Sequence, residues 1–137
     1  MSVILAGKSR FDLSRSMSVD LTSTGETISP ESMGVTLGPL SAISYKPAKM
    51  RFNLLPDAAI TGAVVELKLY ADQTVVKSES VNLSGLSEYG NSVDISLAGI
   101  TGDQILTFAV NVTGAEAGRS LAVDACVDVE VPVVVRV

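Results

Sequence analysis

The chain has 137 residues, 47% hydrophobic and 18% charged, which suits one domain with one core and excludes a disordered or collagen-like chain. Its formal charge of −5 is uneven: residues 1–51 carry Lys8, Arg10, Arg15, Lys46, Lys49 and Arg51 against four acids, and the remainder is clearly acidic, which disfavours direct binding to DNA or RNA. A single cysteine, Cys126, excludes a disulfide-stapled module.

In chain order, the apolar run Val3–Ala6 has no basic stretch before it and matches neither a signal peptide nor a membrane span, so cytoplasmic synthesis and no membrane partner are expected. Residues 1–16 join an apolar anchor, Val3, Ile4 and Leu5, to the positive charges of Lys8, Arg10 and Arg15, opposed only by Asp12. Two readings stay open for this segment: an N-terminal arm that orders on an acidic partner, or an ordinary first strand with solvated charges.

From there the pattern has period two, the signature of strands with one face in a core and one in water. Met17, Val19 and Leu21 mark one strand, and Met50, Phe52 and Leu54 another. Residues 23–47, with Pro30, Gly34, Gly38, Pro39 and Pro47, are less regular and hold one candidate strand at Met33, Val35 and Leu37. Val65, Leu67 and Leu69 lead through a turn at residues 71–74 into a second strand from Val75 to Leu83, a hairpin whose outer strand carries Lys77 and Glu79 on the face of Val75 and Val81. Val93, Ile95 and Leu97 follow, then Leu106, Phe108, Val110 and Val112, and last Leu121 through Val131 on alternate positions. Turn-rich loops at residues 84–90, 98–103 and 113–118 separate these runs. The spacing predicts a single all-β domain over residues 1–137, a two-sheet antiparallel β-sandwich, jelly-roll-like, of about eight or nine strands.

The chemistry-bearing motifs are sparse. There is no histidine, which removes Ser-His-Asp and Cys-His pairs and the usual zinc and iron ligand sets, and no phosphate-binding glycine loop or nucleophile elbow is present. Cys126 lies between Asp124 and Asp128, whose charge opposes thiolate formation. Asp124, Asp128 and Glu130 share one strand face, which reads as a solvated acidic surface, since a Ca²⁺ site would need ligands from other loops to close it. No enzyme, no cofactor and no metal are expected. Val131-Pro-Val-Val-Val-Arg-Val137 reads as a structural segment at a sheet edge, a bulge or a subunit boundary, because Pro132 cannot donate to a ladder.

The profile formed by Ser2 to Arg15, the lone cysteine, the end Val129 to Val137 and the absence of catalytic parts resembles the decoration, or cement, proteins of tailed bacteriophage capsids. That resemblance implies a non-enzymatic structural protein that binds a viral capsid protein at the virion surface, commonly as a dimer or trimer, through a flexible terminal arm; it carries over no individual residue, and Val3, Ile4, Leu5, Lys8, Arg10 and Arg15 are the partner-contact candidates on composition. The alternative is a ligand-binding sandwich of carbohydrate-binding or adhesion type, which residues 52–70 resemble. The chain lacks tryptophan, so Tyr45, Tyr70 and Tyr89 are the candidate platform.

Overall fold

A computed structural model describes residues 2–7, 13–29, 32–34, 46–86, 90–100 and 104–136. Among these there is no helix, and ten strand segments form two antiparallel sheets. They are β1 (Ser2–Gly7), β2 (Leu13–Asp20), β3 (Gly25–Ile28), β4 (Met33–Gly34), β5 (Lys46–Pro56), β6 (Val64–Ala71), β7 (Thr74–Asn82), β8 (Asn91–Ser96), β9 (Ile105–Gly114) and β10 (Ser120–Arg136).

One sheet runs β1-β10-β5-β8, with β2 pairing the same strand β10, and the other runs β3-β9-β6-β7, with β4 also on β9. In each sheet two described segments lie along one long partner, β1 and β2 along β10, β3 and β4 along β9. Taking β1 with β2 and β3 with β4 as single broken strands leaves eight strands, four per sheet. Numbered along the chain they run 1-8-3-6 and 2-7-4-5, the double Greek key of a jelly roll.

The core lies between the sheets because alternate residues of each strand point inward. Val19 of β2, Met50, Phe52 and Leu54 of β5, and Leu121, Val123, Ala125 and Val127 of β10 are buried from one side. Val65, Leu67 and Leu69 of β6 and Leu106, Phe108, Val110 and Val112 of β9 meet them from the other. The Phe52 and Phe108 rings join the layers edge to face, 5.5 Å between centroids and 77° between planes. Fully burying a side chain of this size contributes about 1.5–3 kcal/mol, so this layer supplies most of the drive to fold.

Three local features escaped the period-two reading. β3 lies inside the region that read as irregular, and in that region only Met33 and Gly34 of the expected Met33–Leu37 strand are described; Val35 and Leu37 lie outside the described residues. Asp72 and Gln73 turn the β6-β7 hairpin with φ of 48° and 71°, the two positive angles of a type I′ turn. Beyond it the register slips, so that Val75 pairs with Tyr70 whereas Lys77 pairs with Leu69, leaving Val76 as an extra residue. Val75 therefore sits on the outer face with Tyr70, and only Lys77, Glu79 and Val81 share a face, a correction that follows from the bulge. Among the described residues β7 is an edge strand of its sheet, and its Lys77 and Glu79, on the row of Val81, are charges that oppose strand addition.

Candidate contact surfaces

β10, with 17 residues, is longer than its neighbours. β5 follows it from Leu121 to Glu130, opposite Pro56 to Lys46. On its other edge β2 covers Ser120 to Val127 and β1 covers Val131 to Arg136. Past Glu130, among the described residues, β10 and β1 continue as a two-stranded ribbon. Its successive register pairs Val3 with Val135, Ile4 with Val134 and Leu5 with Val133 join aliphatic residues. Gly7 stands opposite Val131 and Ala6 opposite Pro132.

This ribbon brings together the apolar half of the N-terminal segment and the valine-rich end, which read separately in the sequence. Lys8 and Arg10 lie outside the described residues. Arg15 is on β2 opposite Ala125, on the inward row with Met17 and Val19. It is half-buried, and its Nη1 donates to the Ser14 carbonyl at 2.8 Å. The described part of the segment thus separates Arg15 from Val3, Ile4 and Leu5, which belong to a different strand.

The outer face of the β2-β10-β5-β8 layer carries a polar cluster. Cys126 stands between Ser14 and Arg51 in the ladder, half-buried. Arg51 Nε donates to Asp94 Oδ1 at 3.0 Å, and Lys49 approaches the same carboxylate at 3.6 Å. The Arg51 bond, with its charge, holds Asp94 below the ordinary carboxylate value. Asp124 and Asp128 face Asn53 and Lys49. Among the described residues no group of three or more His, Cys, Asp or Glu could hold a metal ion. None of the helices long and apolar enough to cross a membrane occurs among them either.

At one end of the sandwich Glu116 ties two loops. Its Oε1 accepts from Thr61 N and Thr61 Oγ1 at 2.9 Å and from Gly62 N at 2.7 Å, while its own N donates to the Leu21 carbonyl at 2.8 Å. The bond from Gly62, followed by those from Thr61, lowers its pKa. Such a carboxylate is a permanent acceptor, the opposite of a general acid poised near neutrality.

The outer face of the other sheet carries a second constellation. Glu26 of β3 accepts from Lys68 Nζ and from the Tyr70 hydroxyl, each at 3.0 Å. The Lys68 bond lowers the Glu26 pKa, and the bond to Glu26 raises that of Tyr70, so the phenol stays a donor. Beside Tyr70 a depression of about 220 Å³ is lined, among the described residues, by Ile28, Tyr70, Gln73 and Thr107. Tyr70 was legible as a platform candidate; Ile28, Gln73 and Thr107 were not, since only the β3-β9-β6 register makes them neighbours. Tyr45 and Tyr89 lie outside the described residues.

No family model matches the chain, and no curated protein matches it. Solved structures that match include the infectious bursal disease virus VP2 subviral particle, at 15% identity and a TM-score of 0.34, over 97% of this chain and 32% of that one. The infectious bursal disease virus Gt strain matches at 12% identity and a TM-score of 0.30, over 88% of this chain and 40% of that one. The Gx strain matches at 14% identity and a TM-score of 0.30, over 98% and 41%. The chain spans about a third to two-fifths of the length of these proteins.

Proposed function

We propose that the chain is a non-enzymatic structural protein that binds and stabilises a larger protein assembly, a capsid decoration protein of bacteriophage type, made in the host cytoplasm and carried on the virion surface. The observation that supports this reading is the β1-β10 ribbon. Its register pairs are aliphatic, and an apolar ribbon gains most when a protein surface covers it. The acidic body and the absence of histidine fit a protein partner better than nucleic acid or a catalytic cycle. In this reading the ribbon is the contact element, and the chain self-associates as a dimer or trimer before or upon docking.

Mass photometry and size-exclusion chromatography of the intact chain, beside a variant lacking residues 2–7, test the reading. A homo-oligomer at micromolar concentration that the deletion dissociates is the expected result; an intact chain that stays monomeric and does not co-sediment with capsids encoded beside its gene overturns it.

A further inference from the structure

We infer that the depression between β3, β9 and the β6-β7 turn is a binding site for one neutral pyranose ring, a role that does not depend on the assembly reading. The register explains why the surface is concave there. Ile28 stands opposite Ala109 and Tyr70 opposite Thr107, so two large residues on outer strands flank a middle strand whose residues are small. Ala109 is fully buried and takes no part in the lining, while Ile28 is 56% exposed and borders the depression.

The lining matches the two-sided chemistry of a sugar. Ile28 and the Tyr70 ring offer apolar surface to the C–H face, and Tyr70 is held in place because its hydroxyl is already committed to Glu26 at 3.0 Å. The Gln73 amide and the Thr107 hydroxyl supply two donors and acceptors at the rim, and neither side chain is engaged by a hydrogen bond within the described residues. The volume of about 220 Å³ lies below the ~300–1,000 Å³ of drug-sized pockets, which suits a single ring.

The β6-β7 turn places Gln73 beside this depression. Gln73 holds φ 71° at a turn position where glycine is favoured. Its neighbour Asp72, at φ 48°, is compensated, because Asp72 N donates to the Ile105 carbonyl at 3.0 Å and Asp72 Oδ1 accepts from Ile105 N at 3.1 Å. Gln73 has no such tie; its positive φ is the second angle of the type I′ turn, which sets Gln73 at the edge of the depression it lines.

The test is saturation-transfer NMR on the full chain with methyl glycosides of glucose, galactose, mannose and N-acetylglucosamine, each at about 10 mM, tenfold above a 1 mM dissociation constant. Transfer to the ring protons of at least one glycoside is expected. Tyr70→Ala should weaken that binding about tenfold, the worth of one stacked aromatic contact. Gln73→Gly should weaken it roughly fivefold, about one hydrogen bond, while raising the melting temperature, so that lost binding is not lost folding. No transfer from any glycoside, or transfer that Gln73→Gly or Tyr70→Ala leaves unchanged, overturns the site.

Discussion

Replacing Gln73 by glycine isolates the strain in the β6-β7 turn. A non-glycine residue in the left-handed region costs about 1–2 kcal/mol, whereas glycine there pays roughly 0.5–1 kcal/mol of extra unfolded-state entropy. Gln73 makes no side-chain bond within the described residues to offset its angle, so the difference, about 0.5–1 kcal/mol, should appear as added stability. For a chain of this length, each kcal/mol moves the midpoint by roughly 3–4 °C, which places the expected gain at about 2–4 °C. Differential scanning calorimetry of the wild type, Gln73→Gly and Asp72→Gly separates strain from general loosening, because Asp72→Gly also forfeits the bond from Ile105 N to Oδ1 and should gain less or lose. A Gln73→Gly midpoint at or below the wild type would refute the argument.

Phe108→Ala should cost about 3–5 kcal/mol in urea-induced unfolding, and a double-mutant cycle of Phe52→Leu with Phe108→Leu should show about 0.5–1.5 kcal/mol of coupling from the edge-to-face contact; zero coupling would mean the rings contribute by burial alone. Asp20, Glu26, Asp94 and Glu116 all hold folded pKa values below their ordinary 3.8 or 4.5, so the unfolded chain binds more protons and their stabilisation is complete above those values. It fades as pH falls through and below about 4, and circular-dichroism melts from pH 7 to pH 2 should show the midpoint dropping there, less steeply for Lys68→Met. Cys126→Ser should leave oligomeric state and melting nearly unchanged, as size-exclusion chromatography and calorimetry will report, because the thiol lies in the polar cluster of the outer face, half-buried beside Arg51.

The long strands were legible because each buries one face: Met50, Phe52 and Leu54, or Leu121 to Val127, carry their own orientation in the alternation. β3 was not, since Gly25–Ile28 holds one large apolar residue and the fold turns that residue outward. Bulges hide for a different reason. A single extra residue such as Val76 leaves composition untouched and only changes which face follows, which is why Val75 read as a neighbour of Lys77. The ribbon was half visible as two apolar termini, but their pairing spans the whole chain, and no local pattern encodes a contact between Val3 and Val135. The depression needed the register of three strands drawn from distant stretches, so only its aromatic member could be singled out.

The placement of β10 has a consequence for how the chain is made. Every strand of the β3-β9-β6-β7 sheet has left the ribosome once Gly114 is out, yet the other sheet is built around a strand that begins at Ser120. Its partners β2 and β5 wait for it, Asp20 for a residue 100 positions later. At ~5–20 residues per second, the 17 residues of β10 take roughly 1–3 s to emerge, during which Leu67, Leu69, Phe108 and Val110 face a layer that does not yet exist. Closure is therefore a late, non-local and slow event, and the nascent half-sandwich is the species for which a chaperone, or premature association with a sister chain, competes.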